Sequence, residues 1–293
     1  MTGVECVLPP SPQKSMNLVT LVCCLSFLAL LMSSTPADAT AVPTPSMLSF
    51  GHLETLAKAH LTNTNNDVSV NSTRHFVLEV TCLVGQLASS FLKNAPLDRS
   101  PDEDEQTNSW IPPDETRMLM GQVFFMLAVT AASCQLELQQ CILCKLVLNE
   151  KKYPVDLCKG KSGKYTAYSA QTGITKTVGQ NTDIYQTTVD ENELVESLKS
   201  KITSFANDRA WNRFHTPRNL LLALIGELGE LAELYQWKSD EKPSPEDDLQ
   251  KVGQEIADVA IYLLRLAAVC QVDIGEYTVR QEEAAKDGTN QQK

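Results

Sequence analysis

The sequence has almost no stretch in which apolar and polar residues alternate strictly by two, which argues against a half-buried sheet as its organising element. It also lacks a surplus of positive charge. Its 36 acidic and 25 basic residues give a net charge of -11 and a pI near 4.9, which argues against a nucleic-acid backbone as the main partner. A small anionic substrate is still open to it, provided that cations are placed locally against that field. A disulfide framework is missing as well. Of nine cysteines, Cys23 and Cys24 lie in an apolar N-terminal run and Cys82, Cys134 and Cys270 in helix-like segments. Cys141 and Cys144 form one C-x-x-C without a second pair, so ordinary thiols are expected rather than zinc ligands or a redox site.

No apolar run reaches the length of a comfortable membrane span. The longest, NLVTLVCCLSFLALLM over residues 17–32, is about sixteen residues where about twenty are needed. With Lys14 before it and SSTPADATA after it, this run has the layout of a secretory signal peptide. If retained, it is either an anchor, which would give membrane contact, or an extension with no targeting role. Downstream, Asn71-Ser72-Thr73 is the one feature that suits a secreted chain.

What the sequence does have is helical periodicity from Met47 onward, in a chain of 293 residues that can hold one large or two small domains. An extension over 1–46 precedes a helical unit at 47–159; a Gly, Ser and Thr rich linker over 160–189 leads to a second unit at 190–280 and a polar tail at 281–293. The units align with each other: LEVTCLVGQLASSFLK follows LALIGELGELAELYQWK, and MLMGQVFFMLAVTAASCQLEL follows VGQEIADVAIYLLRLAAVCQVDI. Gly85 meets Gly229, and Cys134 meets Cys270. The pattern is an internal duplication of an all-α unit, namely an entry helix, a long helix, a charged loop and a second long helix. Leucine-rich helices such as 220–235 carry more apolar surface than a short unit can bury, so the units are expected to pack face to face as an internal pseudo-dimer.

In the second unit Glu227 and Glu230 are one turn apart on one helix, and Glu255 and Asp258 repeat the step on the next. Residues three apart share a helix face, so two antiparallel helices bring four carboxylates to one spot. Packed in an apolar bundle, they would repel one another and pay a large desolvation cost unless a hard divalent cation neutralised them. Oxygen-only ligands point to Mg²⁺, which commonly bridges to substrate phosphates. Solvated helix carboxylates on an acidic protein are the alternative. Glu233 continues the step but drifts about sixty degrees round the helix, which places it outside the ligand set.

The run FANDRAWNRFHTPRNLLLALIGELGELAELYQWKSDE, followed by EIADVAIYLLRLAAVCQVDI, resembles the dCTP pyrophosphatases of the MazG-like, all-α nucleotide pyrophosphatase superfamily. The resemblance covers nearly all of the second unit. It implies that Glu227, Glu230, Glu255 and Asp258 match the family's Mg²⁺ ligands. The implied reaction is attack of water on the α-phosphorus of a nucleoside triphosphate, giving a monophosphate and pyrophosphate. It further implies a base slot formed by Trp211, Trp237 and Tyr262, with core packing as the alternative for Tyr262. His215 is expected to support the turn before Pro217 rather than reach a phosphate. Ile202 stands where the family often has a histidine. A cytoplasmic location and nucleotide-pool sanitation follow from the resemblance, and a homo-oligomer is compatible with it; residues 17–32 suggest the secretory pathway or a membrane instead.

The first unit has Leu83, Gln86, Leu119 and Gln122 at the four ligand positions and is no independent enzyme. It does keep CKLVLNEKKYPVDLCKGKSGKYT, which looks like the family's segment after the last long helix. By that resemblance Lys145 and Asn149, one turn apart, are expected to meet triphosphate oxygens, and Lys145 is expected to be exposed. A solvated basic helix end is the alternative. A decayed first unit also fits a different function altogether, a catalytically inactive nucleotide-binding or scaffold protein.

Overall fold

The computed structural model describes residues 47–64, 72–97, 110–162, 189–238 and 249–280. The apolar run at 17–32, most of the expected linker and the tail lie outside the described residues. In chain order the helices are α1 (Phe50–Thr64), α2 (Thr73–Asn94), α3 (Asp114–Ser133), α4 (Leu138–Lys152), α5 (Val155–Cys158), α6 (Val195–Asp208), α7 (Pro217–Glu233) and α8 (Leu249–Val269). A further helical segment, α9, covers 274–280. No strand occurs among the described residues, and the fold is all-α as the periodicity predicts.

Local chemistry accounts for the helix ends. At the start of α2, the Ser72 side chain accepts from the His75 N–H, and at the start of α7 the Thr216 side chain accepts from that of Asn219. Each supplies a partner for an otherwise unpaired first-turn donor, and Pro217 follows Thr216 where a missing N–H costs nothing. Ser72, the middle residue of Asn71-Ser72-Thr73, thus works as a cap, and Thr73 is buried against Ser133 and Cys134. The two long helices α3 and α8 end alike. Gln135 and Gln271 adopt left-handed φ values of 61° and 55°. In both cases the next N–H reaches back five residues, Leu136 to Ala131 and Val272 to Ala267. This 6→1 bond, with the residue before it in the left-handed region, stops a helix without leaving its last carbonyls unpaired.

α2 packs along α3 and α7 along α8, while α2 also lies against α7 and α3 against α8, so these four helices close a bundle. α1 covers α3, and α6 covers α8. The segments leading into these outer helices pair with each other: Phe50 donates to the Glu193 carbonyl and Val195 to that of Leu48, around the antiparallel bridge between Ser49 and Leu194. Elements from each half of the chain also cross to the other. α4 packs on α8, and α9 packs on α3, where the Tyr277 hydroxyl donates to Asp114. One continuous apolar core runs from Leu48 to Tyr277. By length and composition α2 and α3 could each cross a membrane; α3 is largely buried in the bundle, and α2 keeps an open outer face with Leu78 and Leu92 exposed.

The crossing of α9 over α3 depends on Gly121. A Cβ there would stand 2.6 Å from the Tyr277 carbonyl carbon and 2.8 Å from the Thr278 nitrogen, both of them backbone atoms. Gly85, in the middle of α2, has nothing within 4 Å of the same position. The two glycines should therefore respond oppositely to alanine in thermal or urea unfolding. Gly121→Ala is expected to destabilise by about 1–3 kcal/mol through overpacking, and Gly85→Ala to stabilise by about 0.5–1 kcal/mol through helix propensity. Two shifts of the same sign would contradict this account of the α3–α9 crossing.

Candidate functional site

Glu227 projects from α7, and Glu255 and Asp258 project from one face of α8. The α7–α8 packing brings one carboxylate oxygen of each to within 4.8 Å of the others. Among the described residues this is the group whose geometry can hold a metal ion. Glu255 is buried at 8% exposure; Glu227 and Asp258 are partly buried. Burial pushes the Glu227 carboxyl up to about 7, with Asp258 and then Glu230 adding repulsion. Burial likewise raises Glu255 and Asp258, with Lys145 opposing the rise in both. Glu230 is exposed and lies outside the group of three, close enough to add to its negative field. Glu233 is exposed, as its drift round the helix predicts.

The opposing cation comes from the other half of the chain. α4 crosses α8 and seats the Lys145 ammonium in an ion pair with Asp258. The expectation of an exposed lysine at a helix end is thus corrected: Lys145 is 5% exposed and enclosed by the α4–α8 contact. Asn149 follows one turn later, half-buried. Lys152, which the sequence analysis did not single out, also faces the cluster. Burial and Lys145 lower its pKa, while Asp258, Glu255 and Glu227 hold it up. A lysine in the last turn of a basic helix gives no sequence signal for this, because only the crossing angle of α4 turns it inward.

An aromatic wall continues from the carboxylates. Burial raises the Tyr262 phenol, and its ionisable neighbours are Glu227, Tyr153 and Asp258. Tyr153 stands edge-on to Trp211 at 5.3 Å between ring centroids; Phe205 and His215 lie against the same indole at 5.9 Å each. Trp211 is placed by the end of α6. Ala210 adopts a left-handed φ of 53°, the Trp211 N–H returns to the Ala206 carbonyl, and the indole N–H donates to that of Lys161. Arg209 stacks 3.5 Å over Phe205 and donates to the Tyr153 carbonyl, tying α4 to this corner. The structure thus brings Trp211 and Tyr262 into one region through Tyr153. Trp237 is not part of that wall: it is 94% exposed in the turn after α7, with a left-handed φ of 62°. Ile202 packs into the core.

At the positions matching the carboxylates, the first half has Leu83 partly buried, Leu119 buried and Gln86 exposed, and the buried Gln122 Oε1 lacks a hydrogen-bond partner. Cys141 and Cys144 are both buried, and burial pushes the Cys141 thiol up to about 12. For Cys141 that is the reverse of a reactive thiol.

The carboxylates make a stability test possible. The folded value of about 7 for Glu227 lies above the ordinary 4.5, so between these values the folded chain binds more protons than the unfolded one. This contribution to stability is present at low pH and is lost as pH rises through the window. A divalent cation competes with those protons for the same oxygens. Added Mg²⁺ should therefore raise the melting temperature more near pH 7.5 than near pH 5.5. An equal shift at both, or none at either, would count against a cation site.

No family model matches the chain. Over 103 residues, 34% of its length, it is 45% identical to dCTP pyrophosphatase 1 of Mus musculus, covering 58% of that protein. Over 84 residues, 27% of its length, it is 49% identical to dCTP pyrophosphatase 1 of Homo sapiens, covering 49% of that protein. The chain spans about half the length of the curated relatives it matches. The similarity to dCTP pyrophosphatase 1 covers about a third of this chain.

Proposed function

We propose that the chain is a divalent-cation-dependent nucleoside triphosphate pyrophosphatase, acting on dCTP or a related pyrimidine deoxynucleotide to clear it from the precursor pool. The observation that carries this reading is the convergence of Glu227, Glu255 and Asp258 within 4.8 Å, combined with the partial similarity to dCTP pyrophosphatase 1. The donor set fits Mg²⁺: it is all oxygen and anionic, and burial raises the proton affinity of each of its three carboxyls. Glu227, Glu255 and Asp258 would hold the ion, with Glu230 at the rim. When bound, it supplies charge neutralisation at the phosphate oxygens and a more acidic water.

The chain's own residues do the rest. In the reaction, a water oxygen forms a bond to the α-phosphorus, the bond from that phosphorus to the bridging oxygen breaks, and pyrophosphate leaves. The attacking water must lose a proton, and a carboxylate neighbouring the ion takes it. Lys145 and Lys152 give a cationic wall for the leaving pyrophosphate, and Asn149 adds an amide donor. Trp211 and Tyr262 provide flat faces for a base.

The reading includes one composite site in an internal pseudo-dimer. Its support is the paired entry segments, the matched ends of α3 and α8, and the reciprocal crossings of α4 onto α8 and α9 onto α3. In such an arrangement each half lends its last segment to the other. Decay of one carboxylate set then leaves a single site built from α4 of the first half and α7 and α8 of the second.

Pyrophosphate release across a panel of triphosphates, with and without Mg²⁺, tests the activity; the absence of metal-dependent turnover on all of them would sink it. Glu255→Gln should abolish turnover, and Glu230→Gln should cost less. Lys145→Met should lower kcat/KM by about tenfold or more, the worth of one charge-assisted phosphate contact. If Lys145→Met and Asn149→Ala both keep full activity while Glu255→Gln has none, the site is not composite. In a separate check, a fragment covering 190–293 loses the surfaces of α3 and α4 that cover α8. It should aggregate or self-associate in sedimentation experiments, and a stable monomer would contradict the shared core.

A further inference from the structure

His215 stands at the far end of the aromatic wall from the carboxylates, its ring tilted against Trp211. Arg265 of α8 approaches it from the other side. Its Nε donates to His215 Nδ1 at 3.1 Å, and its Nη2 donates to the Asn212 side-chain oxygen at 2.6 Å. A guanidinium has only donors, so Nδ1 must offer a lone pair, and a neutral imidazole bonded in this way carries its proton on Nε2. Burial first, and the Arg265 charge second, push His215 down to about 4, which keeps the ring neutral. The Nε2–H makes no hydrogen bond to the described residues and is not among the sealed, unpaired atoms of the interior. It is an open donor beside an indole face.

The placement of Arg265 adds to this. It is 6% exposed, and its hydrogen bonds go to two neutral acceptors, with no carboxylate paired to it among the described residues. Such a buried cation is costly. Glu255, Asp258, Tyr262 and Arg265 are spaced three, four and three residues apart, which puts them on one stripe of α8. Along that helix Arg265 is about 10 Å from Asp258, comparable to the span from phosphate to base in a nucleotide.

We propose that Arg265 is a positioning residue that fixes His215 as a neutral Nε2–H donor, and that this N–H bonds an acceptor atom on the edge of a nucleobase held against Trp211. The chemistry suits a ring carbonyl or a ring nitrogen with a free lone pair, as on the 2-oxo edge of a pyrimidine. This deepens the pyrophosphatase reading and rests on it for the identity of the ligand. The tautomer itself does not depend on that reading.

The tautomer is read by ¹⁵N NMR of the histidine-labelled full chain. The chain has four histidines, and the His215 signals are those lost in His215→Gln. Neutral Nε2–H is expected across the pH range from about 5.5 to 8, far above the group's own transition. In Arg265→Met the Nδ1–H form should appear and the ring should begin to titrate. A wild-type ring that is Nδ1–H, or that titrates near the ordinary histidine value, overturns the proposal.

Base contact is read by binding of deoxycytidine monophosphate, with inorganic pyrophosphate as the base-free control. His215→Phe should weaken monophosphate binding by about two- to tenfold, the worth of one neutral hydrogen bond, and leave pyrophosphate binding unchanged. His215→Gln, which keeps an N–H, should recover part of the loss. A nucleotide analogue without the ring carbonyl, tested on the unaltered chain, removes the same contact from the ligand side and should lose the same factor. Unchanged binding by His215→Phe, or full binding of that analogue, sinks the base contact alone. If the wild-type chain binds neither ligand, both the base contact and the pyrophosphatase reading fall.

Discussion

Mutual repulsion among three carboxylates is the constraint around which this bundle is arranged. Glu227, Glu255 and Asp258 meet within 4.8 Å because α7 and α8 pack tightly, and the packing that holds them there also removes the water that would screen them. Burial is the leading cause of the raised proton affinity at each of the three. Leucines on the buried faces of α7 and α8 provide the apolar drive for this contact. The cluster is therefore a site that gains stability from whatever positive charge enters it.

Within the chain that charge arrives from a distance in sequence. Lys145 and Lys152 reach the cluster because α4 leaves the first half and crosses α8, and Arg209 fastens the same corner by its bond to the Tyr153 carbonyl. Its counterpart is the crossing of α9 over α3, so close at Gly121 that a methyl group would overlap the Tyr277 backbone. These two crossings make the halves interdependent, and a single apolar core follows. The arrangement also fixes a polarity: carboxylates and lysines lie at one end of the α8 stripe, and aromatic rings with the His215–Arg265 pair at the other.

The helical class was legible in the sequence because helix formation depends on neighbours within a few positions. Period and leucine content gave α7 and α8, and the three-residue steps put Glu227 beside Glu230 and Glu255 beside Asp258 on helix faces. The matched Cys-Gln pairs marked two helix ends that the structure closes with the same left-handed residue. Which of four acidic groups converge was not legible, since Glu230, about sixty degrees round α7 from Glu227, lies exposed while Glu227 meets the α8 carboxylates. Trp237 likewise reads as one more aromatic of a slot, yet the turn after α7 carries it outward.

The sequence by itself determined the all-α class and the three-residue steps of the acidic pairs, because each follows from local backbone chemistry and the period of apolar residues. Only the tertiary structure decided that Lys145 is buried against Asp258, that Lys152 turns inward, and that Arg265 sets the proton of His215. These depend on the angle at which α4 crosses α8 and on how the loop over 209–216 folds back on that helix. Such angles come from side chains far apart in the chain interlocking at once, and no short stretch of residues encodes them.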